Sequence, residues 1–135
     1  MTPVRDQAAC GGCWAFAISE VIGDRLGALG CSRGVMSPQD LISCDSLDAG
    51  CNGGNFDTAW DWVTENGITT DECITFKSTK GKVPQCPETC DNKSDIIRTK
   101  VHDWHYVKAD QIQEEIYKHG PVTVGFVVYQ DFMYY

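Results

Sequence analysis

The sequence predicts an α+β fold in which a helical lobe comes first and a β lobe has only begun. Three observations support this prediction. Four stretches within residues 1–119 have helical patterns, a strongly β-forming run follows them, and eight cysteines stand in a chain of 135 residues. We expect residues 1–105 to form the helical lobe and residues 106–135 to begin the β lobe, so that the chain stops inside the fold.

The first two helices are predicted from periodicity and from capping residues. Apolar residues recur at steps of three and four over residues 14–29, which indicates a long helix with two glycines at its end. Ser37 is followed by Pro38 and Asp40, which is the order of an N-cap, a proline in the first turn and an acidic third position. A short helix is therefore expected through Ser43.

The third helix is predicted over residues 56–66, after a turn at residues 52–54 with the sequence Asn-Gly-Gly. Gly67 stands where a left-handed C-terminal cap belongs. We expect the apolar face of this helix to consist of Phe56, Ala59, Trp60 and Val63.

The second half of the chain has a different character. Residues 71–95 are polar and rich in turn formers, which predicts a loop, and residues 96–107 are expected to be extended. A fourth amphipathic helix is predicted over residues 109–119, where a Gly-Pro pair ends it. Residues 122–129, VTVGFVVY, are strongly β-forming and predict a strand.

Composition excludes several classes of protein. A formal net charge of −8 argues against binding to nucleic acid or to an anionic membrane, because both require a basic face. An apolar fraction of 42% is too high for a disordered chain, and no apolar run approaches the ~20 residues that span a bilayer. The cysteines indicate an oxidising compartment and disulfides, or else metal or thiol chemistry. With no secretory signal at the start, we expect a processed, mature segment.

The strongest chemical signal is Gln7 followed by CGGCWAF at residues 10–16, where the first helix begins. A cysteine at a helix N-terminus meets unpaired N–H groups and the positive end of the dipole, which favour the thiolate. Because the dipole contributes only roughly 0.3–1 kcal/mol, a basic partner is also needed. The Gln7 amide and the Cys13 backbone N–H would together form an oxyanion hole for acyl transfer.

These residues resemble the papain-like cysteine peptidases. Five motifs stand in the order and spacing of that family: Gln7 with CGGCWAF, Cys44, CNGG at residues 51–54, GPV at residues 120–122 and YQDF at residues 129–132. Within the family, the cathepsin B branch is the most similar, through GDR at residues 23–25, EIYK at residues 115–118 and the YxDF element. The resemblance covers nearly the whole chain and implies a two-lobe fold, with the helical left lobe present and the β-barrel right lobe only begun.

The resemblance also implies a role for individual residues. Cys13 matches the nucleophile, and Gln7 matches the amide of the oxyanion hole. Residues implied to bind substrate are Trp14, the buried aromatic after the nucleophile; Gly53 and Gly54, whose backbone pairs with extended substrate; and Asn55 and Phe56, at the start of the S2 wall.

Two features depart from the family pattern. Gly12 stands where the family usually has serine, one residue before the nucleophile. The catalytic His and Asn are not matched, because His102, His105 and His119 stand in another context. We therefore expect the pair to lie beyond Tyr135 and this chain alone to be inactive.

The implied activity is that of a cysteine-type endopeptidase acting through a thioester. Residues 73–86 hold no histidine and are too short for the occluding loop of the cathepsin B branch, so an open cleft is expected. The alternative is a non-catalytic papain-like homologue or fragment that binds peptides or inhibitors. No metal or organic cofactor is expected. Expected partners are peptide or protein substrates and cysteine protease inhibitors. The complete protein is expected to be monomeric, in a lysosome-like or vacuolar compartment or secreted.

The resemblance pairs six of the eight cysteines. The implied disulfides are Cys10–Cys51, Cys44–Cys86 and Cys73–Cys90. Cys31 is left over, and we expect it to pair with a cysteine upstream of Thr2 in the full protein.

Other interpretations of the polar motifs remain open. Cys10 and Cys13 have the spacing of a thioredoxin-type dithiol, although that motif usually follows a strand. A zinc site that combines this pair with Cys86 and Cys90 would have spacings that fit no common ligand pattern. Asn92 begins a glycosylation sequon but is also an ordinary loop residue.

Overall fold

A computed structural model describes residues 1–135 and contains four α-helices. They are α1 (Cys13–Ala28), α2 (Pro38–Cys44), α3 (Phe56–Asn66) and α4 (Ile112–His119). Single 3₁₀ turns lie at Ala109–Gln111 and Gln130–Tyr134. The chain forms no regular strand and pairs its backbone at only four isolated bridges. None of the helices reaches the length and apolar character that a bilayer crossing requires.

The core lies where α1 packs against α2 and α3. Half of the 16 residues of α1 are buried, because its apolar residues recur at the helical period and face both neighbours. Each large apolar side chain buried there contributes about 1.5–3 kcal/mol of transfer free energy. The thirteen buried residues of this core are Cys10, Trp14, Ala15, Phe16, Ile18, Ile22, Met36, Leu41, Ile42, Ala59, Trp62, Val63 and Ile68.

The start of α2 confirms the predicted capping residues. Ser37 Oγ accepts a hydrogen bond from the Asp40 N–H (3.0 Å) and donates one to the Ile74 carbonyl (2.6 Å). The Asp40 carboxylate is fully buried, and the Arg98 guanidinium binds both of its oxygens, at 2.7 and 3.0 Å. This ion pair ties α2 to the chain that follows the long loop.

Three disulfides cross-link the helical region. They are Cys10–Cys51, Cys44–Cys86 and Cys73–Cys90, with sequence separations of 41, 42 and 17 residues. These are the three pairs that the family resemblance implies. Cys13 and Cys31 are free thiols, and both are exposed.

Two details of α3 correct the sequence prediction. The helix buries Trp62 together with Ala59 and Val63, whereas Trp60 is only half-buried. Either tryptophan is compatible with the helical spacing of the apolar residues, and in the structure Trp62 is the one that packs into the core. Gly67 has a φ of 81° but a ψ of −175°, so its backbone is extended rather than left-handed helical, because the next residue, Ile68, already pairs with Thr99.

The predicted strand over residues 122–129 is wrong for this structure. These residues pair with no other segment, and large side chains such as Phe126 and Val127 are 64% and 71% exposed. A β-forming run needs a partner to satisfy its backbone hydrogen bonds, and no segment offers one. The extended stretch over residues 96–107 likewise pairs only at Thr99. The loop over residues 71–95 and the helix ending at His119 are confirmed, although the helix begins with a 3₁₀ turn.

Candidate active site

Cys13 is the first residue of α1, and its side chain is exposed. The helix begins there because the Gly12 carbonyl accepts the N–H groups of Ala15 (3.0 Å) and Phe16 (3.1 Å). The Cys13 N–H, at the first helical position, has no intrahelical partner. No acidic side chain stands in the first turn, so the thiol sits at an uncompensated positive helix end.

A tight turn upstream of the helix carries Gln7. Asp6 Oδ1 accepts the Ala8 N–H (2.7 Å), and Ala8 has a φ of 52°, which folds the chain back on itself. The Gln7 carbonyl then accepts the Cys10 N–H at 3.3 Å. The Gln7 side-chain amide makes no hydrogen bond within the protein, so its N–H groups are available as donors.

Gln7 and Cys13 line one cavity of about 380 Å³. The other residues around this cavity are Arg5, Asp6, Phe16, Ala17 and Glu20. Arg5 is fixed by Asp71 (2.7 Å) and by the Met36 carbonyl (3.2 Å), and its guanidinium lies over the Phe16 ring. The structure thus brings the proposed nucleophile and the proposed oxyanion donor together.

Glu20 is a cavity residue that the sequence analysis did not single out. It lies seven residues after Cys13, two turns along the same face of α1, and this spacing is the signal that could have found it. Burial raises the pKa of Glu20, Arg5 opposes that shift, and Asp24 adds to it. The wall below Cys13 therefore carries a carboxyl group that is easier to protonate than an ordinary surface glutamate.

Gly53 and Gly54 occupy positions that only glycine suits. Gly53 has a φ of 110°, and its carbonyl accepts the Ala49 N–H at 3.0 Å. A Cβ on Gly54 would lie 2.6 Å from the indole ring of Trp14. Trp14 is almost fully buried, and its indole N–H donates to the Gly50 carbonyl at 3.0 Å. The residue after the nucleophile is thus packed directly against the glycine segment.

The two loops of the site are also joined covalently. The Cys10–Cys51 disulfide links them, and the Gly11 N–H donates to the Cys51 carbonyl at 2.9 Å. Gly11 and Asn52 form a parallel bridge, and a Cβ on Gly11 would lie only 2.5 Å from the Cys51 carbonyl oxygen. The spacing between the nucleophile loop and the glycine segment is therefore fixed.

Asn55 and Phe56 stand at the start of α3. Asn55 is the N-cap, and its backbone N–H donates to Asp48 Oδ1 at 2.7 Å. Phe56 lines a second cavity of about 400 Å³ between α1, α3 and residues 99–107 and 121–124. The structure therefore does not bring Phe56 into the cavity that holds Cys13.

No histidine lines the Cys13 cavity. His105 lines the second cavity, and His102 is exposed. His119 Nδ1 lies 3.1 Å from Glu115 Oε2 at the end of α4. The cavity accordingly holds the Cys13 thiol and the Gln7 side chain, and no imidazole lines it.

Comparison with known proteins places the chain in a family. The sequence profile of the papain family cysteine proteases matches residues 1–135. The chain belongs to the papain family of cysteine proteases. A papain-family relative, Cathepsin B-like CP3 of Giardia intestinalis, is 38% identical over 139 residues, which cover 98% of this chain and 46% of the relative. Cathepsin B of Dictyostelium discoideum is 30% identical over 151 residues, covering 100% of this chain and 49% of the relative.

Solved structures of papain-family members share the fold. A procathepsin B from Trypanosoma congolense matches with a TM-score of 0.76 and 26% identity, over 87% of this chain and 43% of that one. A Carica candamarcensis cysteine protease in complex with E-64 matches with a TM-score of 0.64 and 25% identity, over 76% and 45%. The predicted papain-like fold is thereby confirmed, with its helix-dominated part present. The chain spans about half the length of the curated relatives it matches.

Proposed function

We propose that this chain carries the nucleophilic half of a cysteine peptidase active site, with Cys13 as nucleophile. The observation that carries this proposal is that Cys13 and Gln7 line one cavity at the N-terminus of α1. Cys13 Sγ attacks the carbonyl carbon of the scissile peptide, and the Gln7 amide and the Cys13 N–H stabilise the oxyanion. The amine leaves with a proton, and water then hydrolyses the thioester.

The leaving amine needs a proton donor, and the thiol needs a base. In a cysteine peptidase an imidazole does both, and none lines the Cys13 cavity. Residues 1–135 alone are therefore proposed to bind and be acylated slowly and not to turn over peptide. The alternative is a papain-like homologue that binds peptides or inhibitors without catalysis.

Gly54 is proposed to pair with the main chain of an extended substrate. It is exposed, and neither its N–H nor its carbonyl takes part in a backbone hydrogen bond. Both groups are thus free to hydrogen-bond to the backbone of an extended substrate, as in a β-sheet. Because glycine has no side chain, the substrate backbone can approach closely. The Trp14 ring packs against Gly54 on the side away from the substrate. Asn55 and Phe56 are proposed to begin the wall of the S2 subsite.

Endopeptidase action is the finer part of the proposal. The segment from Cys73 to Cys86 is anchored by the Cys73–Cys90 disulfide at its start and the Cys44–Cys86 disulfide at its end, and its Thr79 carbonyl accepts the Ala9 N–H at 3.2 Å. This segment contains no histidine to bind the terminal carboxylate of a substrate. In the full-length enzyme, internal cleavage of peptides blocked at both ends would support the proposal, and release of dipeptides alone would overturn it.

The remaining parts of the proposal concern partners, compartment and organisation. Peptides, proteins and cysteine protease inhibitors are the proposed partners of a protein that works as a monomer. Three disulfides favour a lysosome-like or vacuolar compartment, or secretion. The helical lobe is proposed to end near residue 105 and the second lobe to begin at residue 106.

Labelling with a peptidyl epoxide tests the proposal, and the second free thiol of the chain is its internal control. Cys13 and Cys31 are both exposed, so a small alkylating agent should label them at rates that differ by less than about fivefold, the range of one helix dipole. The peptidyl epoxide should favour Cys13 by more than about tenfold, because backbone pairing adds at least ~1.4 kcal/mol. The Q7A substitution should lower the rate at which the peptidyl epoxide labels Cys13 and leave the labelling rate of Cys31 unchanged. Equal labelling of the two thiols by the peptidyl epoxide would refute the proposal.

A further inference from the structure

Two carboxyl groups, each with one buried oxygen, lie between the end of α2 and the segment formed by Gly53 and Gly54. Asp45 directly follows α2 and is 5% exposed, and Asp48 lies three residues later in the same turn. One oxygen of each group has ordinary donors: Asp45 Oδ1 accepts the Leu47 N–H at 2.8 Å, and Asp48 Oδ1 accepts the Asn55 N–H. The other two oxygens, Asp45 Oδ2 and Asp48 Oδ2, are buried and receive no hydrogen bond.

Asp45 and Asp48 stand three residues apart in one turn, and the unpartnered oxygen of each is buried there. Two carboxylates held in one turn repel, and neither unpartnered oxygen has a donor unless one group is protonated. A single proton on Asp45, donated to Asp48 Oδ2, satisfies both oxygens. The other oxygen of Asp48 accepts the Asn55 N–H at the N-terminus of α3, where a carboxylate is favourable.

No other charged group replaces this proton. Asp40 on α2 is paired with Arg98, and Asp57 on α3 acts on Tyr106, whose pKa it raises. Lys82 adjoins Val83, which covers Gly50, but neither Asp45 nor Asp48 forms an ion pair with any basic side chain. Burial, opposed by the Leu47 N–H and reinforced by the bond to Asp48, raises the pKa of Asp45 to about 7.

Four hydrogen bonds connect Asp48 and its neighbour Ala49 to the backbone on either side of Gly54. Its Oδ1 accepts the Asn55 N–H (2.7 Å) and the Thr58 hydroxyl (2.8 Å), which fixes the start of α3. The N–H of the next residue, Ala49, donates to the Gly53 carbonyl at 3.0 Å, and the Asn52 N–H donates to the Ala49 carbonyl at 3.0 Å. The backbone on both sides of Gly54 is therefore anchored to Asp48 and its neighbour.

We propose that Asp45 and Asp48 share one proton, and that this proton positions the backbone around Gly54 for substrate. The pair acts as a positioning device and touches neither substrate nor Cys13. When the proton is lost, the two carboxylates repel, Asp48 moves away from the Asn55 N–H, and the glycine segment loosens. Substrate affinity then falls as the pH rises through neutrality. The link to substrate rests on the proposed function, but the shared proton does not.

The first test measures the proton directly in the whole chain. Carboxyl-carbon NMR of the wild type should show Asp45 titrating near a pKa of about 7, and titrating lower in the D48N variant, where the negative neighbour is gone. Protection factors of the Ala49, Asn52 and Asn55 amides should fall by up to about tenfold per pH unit above that point. An Asp45 that titrates like a surface aspartate, or protection that stays flat with pH, would overturn the proposal.

The matched variant is D45N, whose amide N–H donates to Asp48 at every pH. Its amide protection should stay flat with pH, whereas D45A should be loosened even in acid. The peptidyl epoxide concentration that half-saturates Cys13 labelling should rise with pH in the wild type and not in D45N. If Cys13 resists labelling, the proposed function fails while the titration still decides the shared proton. A thermal stabilisation by calcium, without a carboxyl titration, would overturn the proposal in favour of a bound cation.

Discussion

The segment from Cys10 to Cys90 and the segment after residue 100 differ sharply in burial and in cross-linking. All 29 buried residues and all three disulfides lie in the first, together with Cys13 and the glycine segment. The second has no buried residue and no disulfide, and its β-forming run is exposed. It contacts the first through Arg25, which binds the Pro121 carbonyl and Glu115, and through hydrogen bonds from Trp60 to Thr123 and from Trp104 to Asp61.

This difference shows which parts of a site a helical lobe can build alone. Cys13, its helix and the segment of Gly53 and Gly54 are positioned by contacts among residues 5–99. Their geometry should therefore be insensitive to changes after residue 100. Matched truncations of a core and an exposed side chain, and of a buried and an exposed ion pair, compare the loss of stability in the first segment with the loss in the second. The disulfides and Asp91 test the first segment and its border.

Removal of the Cys10–Cys51 disulfide should have the largest effect. It closes a 41-residue separation, and the chain-entropy treatment gives a loss of about 4 kcal/mol for a loop of that size. The double variant C10S/C51S should show this loss in urea unfolding. Removal of Cys73–Cys90, with a separation of 17, should cost about 3 kcal/mol and serves as the control. Equal losses from both would contradict the entropic account.

Truncation of one core side chain should come next. Ile18 is fully buried in α1, so Ile18→Ala should cost about 2–5 kcal/mol through lost transfer energy and a cavity. Val127 is 71% exposed in the second segment, and Val127→Ala should change the unfolding free energy by less than about 0.5 kcal/mol. Comparable losses would mean that the second segment packs more tightly than the structure shows.

Loss of the buried ion pair should cost about 3 kcal/mol. Arg98→Met leaves the fully buried Asp40 carboxylate without its guanidinium partner, which is the costly way to break such a pair. The exposed pair of Lys118 with Glu114 on α4 is the matched control, and Lys118→Met should cost at most about 0.5 kcal/mol. Both values are measurable by chemical denaturation. A neutral Arg98→Met variant would show that Asp40 is protonated or solvated.

The smallest effect concerns Asp91 on the long loop. Hydrogen bonds from Lys77 and Thr75 lower the pKa of Asp91 to about 2, so the folded state binds this proton less readily than the unfolded state. Its stabilisation is present above about pH 4 and is lost as the pH falls through about 2. Asp91→Asn should remove the fall in unfolding free energy between about pH 4 and pH 2, and it should lower that free energy by at most about 0.5 kcal/mol at neutral pH. Urea unfolding at a series of pH values measures both. An unchanged acid limb would show that the ion pair is absent in solution.

The sequence predicts the local features of this molecule better than its non-local ones. Helix boundaries near Cys13, Ser37 and Phe56 follow from periodicity and capping, which depend on neighbours in the chain. The strand predicted over residues 122–129 is absent, because β-forming character in the sequence does not supply the partner segment that pairing requires. Asp45 also escaped prediction, since its role depends on a turn that brings it to Asp48, and no periodic signal marks that turn.

The residues of the candidate site also divide into those predictable from local sequence and those that required the structure. Cys13 and Gln7 could be predicted because the motif is short and a helix N-terminus suits a thiolate. The contact of Trp14 with Gly54 required the structure, because a disulfide and a backbone bridge between Gly11 and Asn52 create it.

Amide hydrogen exchange before and after alkylation of Cys13 by a peptidyl epoxide tests the central claim most directly. The claim is that residues up to 99 alone build the nucleophilic half of the site. We predict that alkylation protects the Gly54 amide and the amides around Cys13 and leaves residues 106–135 unchanged. Protection confined to residues 106–135, or no protection at Gly54, would contradict it.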